Sequence, residues 1–498
     1  MIKKLFRHTL LCIIAMIATS AHAADLVSVY EDACANDPAF KAAQARFQVI
    51  RQTIPLSISN FLPHASLTGS LARSYNKNEL EHPVLAGESV TFGSAEFYNN
   101  TSAYTLSVSQ SLFNFANWAT LSTANAQVKQ ACAELSAAAQ DLMIRTATAY
   151  FAILRASEDL RFTQAEKRAI KYQLSQNKER FQVGLIAVTP VYEAQARYDA
   201  VVAREIATKN LYSNRIEELR QITGKSYQAL LAIGEKLPLI SPAPLIIESW
   251  VRTAERQNYS LQAARFGSEA ARENIKVQFA GHLPVIDAQG SYSYNYQDNF
   301  NDAGGARSKV ATAALTGTLP ITNGGATIAL TRQAQFQYQE ALSLEELTHR
   351  SVIAQTRNTF LGVLSGISQI RADKQAIVSS QSALDATQAS YEAGTRTMVD
   401  VLDAQSTLYN IQAISVAAQY NYLLQTLLLK QTAGILCPQD LAGVNRWMNK
   451  RTVMITDADI MHTEIPTHSL TNDDQIVSAP KQTTEIKYTR FSAEKNSR

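Results

Sequence analysis

The sequence predicts a mainly α-helical fold with a small transmembrane β part, in which one structural unit occurs twice. Three observations predict this fold. Glycine and proline are sparse, with 19 and 13 residues among 498, which favours long helices. Long runs carry apolar residues at every seventh position, a spacing typical of helices that coil around one another. Between these runs, apolar and polar residues alternate as they do along β-strands.

Two short segments show the duplication most clearly. The first tip, residues 181–195, aligns without a gap on positions 391–405 of the second tip, residues 390–405, with Gly184 matching Gly394. In each, an apolar-periodic run ends near a glycine that can adopt a positive φ, and a second run starts a few residues later. Each segment therefore predicts the turn of a helix hairpin.

The helices that follow the two tips start with different residues. Thr189 can cap the helix after the first tip, with Pro190 in its first turn. After the second tip come Asp400 and Asp403, three residues apart and therefore on one face of the helix. A favourable interaction with the helix dipole is by itself enough to explain acids at this place.

Residues 1–23 have the pattern of a secretory signal, with basic residues before an apolar run and cleavage expected after Ala23. The formal net charge is +3, and this segment carries Lys3, Lys4 and Arg7 but no acid, so the mature chain is near neutral. Nucleic acid is therefore disfavoured as a partner. The remaining cysteines are odd in number and widely spaced, which favours free thiols over a disulfide framework. They are Cys34, Cys132 and Cys437.

After Leu62-Pro63 and again after Leu283-Pro284, the hydrophobic period changes from helical to two. Each half then has an outgoing and a returning strand of about 10 residues, the length of a tilted transmembrane strand. A half-buried sheet of a soluble protein would show the same alternation. Four strands cannot close a barrel and lipid tolerates no open sheet edge, so strands in a membrane would require several chains to share one barrel. The polar loops at 76–96 and 297–308 would then face the cell exterior.

Two runs without strong breakers, 113–182 and 325–393, predict helices of about 65 residues, each about 100 Å long. A shorter partner helix follows each of them and ends near Gly224 or Gly434. These elements divide the chain into five segments: a signal peptide (1–23), a first repeat (24–236), a linker (237–250), a second repeat (251–437) and a polar, disordered tail (438–498).

From about residue 24 to 441, the sequence resembles the TolC family of outer-membrane efflux and secretion channels. The resemblance rests on the order of elements, on Val183-Gly184-Leu185-Ile186-Ala187 and on the run from Tyr391 to Asp403. It implies a homotrimer whose twelve strands form one barrel in the outer membrane, together with a periplasmic tunnel of coiled helices. The tips would close the tunnel at its far end.

The resemblance also implies roles for residues of the second tip. Asp400 and Asp403 would form an acidic ring at the narrowest point, which would favour cations. Tyr391 and Arg396 would form a latch with the residues at positions 189 and 190, the first of which is Thr189. The second is Pro190 here, whose side chain can neither pair with an arginine nor accept a hydrogen bond, so we expect one latch contact to be missing.

Partners are implied as well: a periplasmic adaptor and an inner-membrane transporter of the RND or ABC type, which would supply the energy. We expect the adaptor to dock at the turns, on Val183, Gly184, Leu185, Gly394 and Thr395. The channel would be a passive conduit for drugs or exported proteins, and the sequence does not name its substrate.

Two other classes of protein compete with the channel. An enzyme is disfavoured because the sequence has no histidine pair at metal-ligand spacing, no phosphate loop and no Gly-x-Ser-x-Gly motif, and no cofactor is expected. A periplasmic coiled-coil scaffold or adaptor without channel activity would share the heptads and the export signal. It would give no reason for four alternating strands between the long helices.

Overall fold

The computed structural model describes residues 23–78, 84–85, 88–89, 95–234, 237–298 and 304–455. The helices are α1 (Leu26–Asn36), α2 (Pro38–Arg51), α3 (Thr53–Ser59), α4 (Phe115–Gln182), α5 (Thr189–Thr223), α6 (Ile247–Gln257), α7 (Tyr259–Phe279), α8 (Ala326–Glu392), α9 (Met398–Thr432) and α10 (Pro438–Asn445). The strands are β1 (His64–Asn78), β2 (Val84–Leu85), β3 (Glu88–Ser89), β4 (Ala95–Phe113), β5 (Ala229–Ile233), β6 (Val285–Gln297), β7 (Ala306–Thr318) and β8 (Met448–Met454).

The two halves repeat one order of elements, as the sequence predicts: short helices, two long strands, a long helix and a shorter helix. Even the break between the short helices recurs. The Asp37 side chain accepts a hydrogen bond from the Phe40 N–H at 2.9 Å, and Asn258 accepts one from the Leu261 N–H at 3.0 Å. Both residues are N-caps that end one helix and start the next.

The four long strands form one antiparallel sheet in the order β1-β4-β6-β7. They contain 15, 19, 13 and 13 residues and so extend beyond the predicted cores, because the ladder continues through the polar residues near the loops. The register aligns apolar with apolar and polar with polar positions. One row across the sheet is Leu67, Leu106, Tyr292 and Ala311, and the adjacent row is Ser66, Ser107, Ser291 and Thr312. Because neighbouring rows point to opposite faces, these rows give the sheet an apolar side and a polar side.

The long helices form two hairpins, α4 with α5 and α8 with α9, and their bounds agree with the predicted runs. With 68 residues, α4 is about 100 Å long. Among the described ranges, we find no helix that combines the length and the apolar character needed to cross a membrane.

The largest buried cluster lies at the middle of the long helices, where α1, β5 and β8 join them. At its centre, the hydroxyl of the fully buried Tyr150 on α4 donates to the carbonyl oxygen of Leu231 at 2.7 Å and also lies 3.1 Å from that of Ala24. Burial raises the pKa of this phenol far above its usual value, so it stays a donor. The segment at Ala24 is thereby attached to β5.

The predicted tail and linker both differ from the structure. The segment that follows Cys437 is not irregular: α10 buries Leu441 and Val444, and β8 pairs antiparallel with β5. Leu441 and Val444 are three apart on one helix face, a periodicity too short to stand out in a polar sequence. The second repeat also begins earlier than expected, because α6 starts at Ile247 inside the predicted linker. Residues 1–22 and 456–498 lie outside the described residues, and with them all but the last residue of the predicted signal peptide and the rest of the predicted tail.

Candidate functional site at the hairpin tips

The first tip turns through a Schellman motif after α4. Gly184 adopts φ 75°, its N–H donates to the Phe181 carbonyl at 2.9 Å, and the Leu185 N–H reaches back to the Arg180 carbonyl at 2.9 Å. These bonds satisfy carbonyl groups that the end of a helix leaves unpaired. Glycine is needed because a side chain disfavours this left-handed conformation.

The second tip repeats this geometry after α8. Gly394 adopts φ 73°, its N–H donates to the Tyr391 carbonyl at 2.9 Å, and the Thr395 N–H donates to the Ser390 carbonyl at 2.9 Å. The predicted equivalence of Gly184 and Gly394 is therefore visible in the backbone.

The helices that leave the tips begin differently. Thr397 caps α9 in a capping box: its N–H donates to the Asp400 carboxylate at 2.9 Å, and its hydroxyl accepts from the Asp400 N–H at 3.3 Å. The hydrogen bonds from the Thr397 backbone and hydroxyl, together with nearby Arg396, lower the pKa of Asp400. Part of the role of Asp400 is therefore that of a helix-capping acid.

At the first tip, the prediction that Thr189 caps the helix is wrong. Thr189 is already the first helical residue, and the cap position falls on Val188, whose side chain has no oxygen to accept a hydrogen bond. Pro190 lies in the first turn as predicted. Its carbonyl oxygen accepts a hydrogen bond at 3.1 Å from the side chain of Asn177, which is buried on α4. A side chain of the preceding helix thus holds the start of α5.

An apolar cluster joins the two hairpins close to the tips. It contains Ile170 and Leu174 of α4, Ala194 and Val201 of α5, and Met398, Val401 and Leu402 of α9. The side chain of Tyr391 is partly buried against it. Burying one large aliphatic side chain contributes about 1.5–3 kcal/mol, so this cluster is the main contact between the tips.

The predicted latch residues are not brought together within one chain. Tyr391 contributes its ring to the cluster and Thr189 is exposed. The guanidinium of Arg396, in the turn before α9, lies 3.8 Å from the carboxylate of Asp400 in the first turn of that helix. Within the described part of the chain, neither Tyr391 nor Arg396 makes a hydrogen bond or ion pair with Thr189. A latch between neighbouring chains stays a prediction.

The ion pair between Arg197 and Asp403 was missed by sequence reasoning. It joins α5 of the first hairpin to α9 of the second. The helical spacing contained a signal: residue 197 is three after Ala194 and four before Val201, and both of these face the buried cluster. Both charged side chains are about half exposed, at 42% and 55%, so the pair contributes at most about 1 kcal/mol to stability.

The outer surfaces of the tips also differ. The first tip exposes apolar side chains, with Val183 70% and Leu185 73% accessible and Tyr192 similarly open. At the second tip, the corresponding turn presents Gly394, Thr395 and the charged Arg396. Across the described residues, we find no group of His, Cys, Asp and Glu side chains arranged to hold a metal ion.

Comparison with known proteins identifies the family of this chain. The sequence profile of the family described as Outer membrane efflux protein matches residues 29–225 and 250–434. Outer membrane protein TolC of Vibrio cholerae serotype O1 is 35% identical over 431 residues, covering 86% of this chain and 95% of that protein. Outer membrane protein TolC of Escherichia coli K12 is 34% identical over 443 residues, covering 86% of each. Proteases secretion protein PrtF of Dickeya chrysanthemi is 26% identical and covers 87% of this chain and 93% of that protein.

The solved structure of the outer membrane protein VceC from Vibrio cholerae has the same fold, with a TM-score of 0.66 at 20% identity. The match covers 82% of this chain and 96% of that one. The chain belongs to the outer membrane efflux protein family. The sequence-based prediction of an outer-membrane channel for efflux or secretion is thereby confirmed.

Proposed function

We propose that three copies of this chain form one continuous channel, with a twelve-stranded barrel in the outer membrane and a helical tunnel in the periplasm. The four-stranded sheet carries this proposal. Within it, β1 and β7 each pair on one side only, and open edges are not tolerated in lipid. Its rows divide into an apolar and a polar face, as in a barrel wall between lipid and water.

The helices support the same assembly. In the second half, α7 packs against both α4 and α8, whereas its counterparts α2 and α3 pack against α4. No residue of α2 is buried, and Val49 on it is 71% exposed. Apolar side chains are also exposed on α8, among them Phe336 and Leu347. A neighbouring chain that places its α8 beside α2 would repeat the arrangement seen at α7 and cover both surfaces.

We further propose that the tips close the periplasmic end, with Asp400 and Asp403 from three chains lining its narrowest part. The tips are joined by one apolar cluster and one exposed ion pair. A partner that separates α9 from α5 would have to disrupt this cluster and this ion pair to widen the passage.

The partner would be a periplasmic adaptor that couples the channel to an RND or ABC transporter in the inner membrane. The exposed apolar side chains of Val183 and Leu185 give it a docking surface beside the turn at Gly184, and Gly394 and Thr395 form the neighbouring turn. The relatives include both channels of the efflux family and a protease secretion protein, so we propose drugs or exported proteins as cargo. The chain itself would act without catalysis and without a cofactor.

The test is complementation in a strain that lacks its own channel. We expect the chain to restore export, and a photo-crosslinking residue at Leu185 to capture the adaptor. The same residue at Leu62 should not, because Leu62 is exposed between α3 and β1, near the opposite end of α4 from the tips. A monomer in detergent together with no export would overturn the proposal and would favour a periplasmic scaffold.

A further inference from the structure

Two arginines seven residues apart on α5 form ion pairs in different directions. Arg204 pairs with Glu166 on α4, inside the first hairpin. Arg197 pairs with Asp403 on α9 and so bridges the two hairpins. The Arg197 pair is therefore sensitive to the separation of α9 from α5, and the Arg204 pair is not.

The same pair changes the charge of the second tip. Asp400 is approached by Arg396 at 3.8 Å and by the cap residue Thr397, while Asp403 is held by Arg197. Each of the two carboxylates thus has a guanidinium group beside it. In this structure, the negative charges of both acids are therefore compensated by a neighbouring arginine.

We propose that Arg197 is a selectivity-determining residue of the pore, which neutralises Asp403 while the tips are together and releases its charge when α9 moves away from α5. This inference rests on the proposed function, in which Asp403 lines the passage. Arg396 and Asp400 lie on the moving side, so their pair persists during the movement. Opening would therefore increase cation selectivity as well as width.

Because the pair is half exposed, it contributes little to holding the tips together, and its loss should change selectivity more than assembly. A unit charge about 6 Å away in bulk water changes the local concentration of a monovalent ion about threefold, and a trivalent ion responds more strongly. Salt screens both effects, so they are largest at low ionic strength.

The experiment compares Arg197→Gln with the parent in planar lipid bilayers at low salt. The readouts are the K⁺/Cl⁻ permeability ratio from the reversal potential and the concentration of lanthanum(III) that halves the current. We expect the ratio to rise about threefold and block to tighten by a larger factor. Arg197→Lys should behave like the parent, because it keeps a positive charge beside Asp403.

Lys178→Gln is the matched control, since it removes a positive charge near the first tip from a side chain that contacts Gln195 and not Asp403. An equal change in this control would mean a general effect of charge and would overturn the inference. An unchanged ratio in Arg197→Gln would also overturn it. If Arg197→Gln does not assemble, the charge swap Arg197→Asp with Asp403→Arg provides a second test, because it keeps the ion pair. This double variant should retain the permeability ratio of the parent, and a large shift in that ratio would contradict the inference. If the parent protein forms no pore, the proposed function fails instead.

Discussion

The first and second tips have the same turn but begin their next helices in different ways. Gly184 and Gly394 adopt nearly the same φ, and the same pair of backbone hydrogen bonds closes each helix. The helix after the first turn has no side-chain cap, whereas the helix after the second turn begins with a capping box. The first tip exposes Val183 and Leu185, and the second tip carries ion pairs. The comparison shows that the two hairpins share one turn geometry and differ in their side chains, which fits the docking role proposed for the first tip and the gating role proposed for the second.

Truncating a buried residue of the second tip should give the largest difference in stability between the two tips. Leu402→Ala removes a side chain that is 1% exposed, and we expect a loss of about 2–5 kcal/mol of local stability because a cavity remains. Hydrogen exchange of the amides in 390–405 measures the local opening. Leu185→Ala at the exposed first tip is the control and should leave exchange unchanged. Equal protection in Leu402→Ala and the parent would mean that the cluster does not join the tips.

The second-largest difference between the two tips should come from replacing the threonine at the start of each helix. Thr397→Ala deletes the cap of α9 and should cost about 1 kcal/mol, seen as faster exchange at residues 398–401. Thr189→Ala removes an exposed hydroxyl that caps nothing, so exchange at the start of α5 should not change. A similar effect of both substitutions would contradict the difference between the helix starts.

The turns themselves should respond alike. Gly184→Ala and Gly394→Ala both place a side chain at positive φ with no neighbour within 4 Å of the new carbon, so each should cost about 1 kcal/mol from backbone strain alone. Thermal scans of the assembled protein with each single variant provide the measurement. Unequal losses would show that one glycine has a further role, such as close approach to another chain.

A small effect of pH should appear at the second tip only. Because the pKa of Asp400 is lowered in the folded chain, its contribution to the cap is present above its ordinary value of about 4 and is lost as the pH falls through the folded value. The first turn of α5 contains no acid and should not respond. Hydrogen exchange at pH 5 and pH 3, corrected for the intrinsic rate, tests this prediction, and Asp400→Asn should abolish the difference.

Sequence patterns predicted the long-range order of this chain better than its contacts. The heptads and the alternating strands carry strong periodicity over many residues, so the bounds of α4 and α8 and the strand pairs followed from them. The turns at Gly184 and Gly394 were predictable because few residues other than glycine adopt positive φ. By contrast, the Arg197 pair depends on which helices become neighbours. Similarly, α10 packs on α1 and β8 pairs with β5, each more than two hundred positions away in the sequence. A local pattern can place Arg197 on the buried side of α5, but it does not identify the partner on another helix.

The most direct test of a shared channel closed at the second tip is current recording from the purified protein in a planar lipid bilayer. We predict uniform single-channel steps that lanthanum(III) blocks when added on one side only, with block lost in Asp400→Asn combined with Asp403→Asn. Absence of steps, or block that survives both substitutions, would contradict the account.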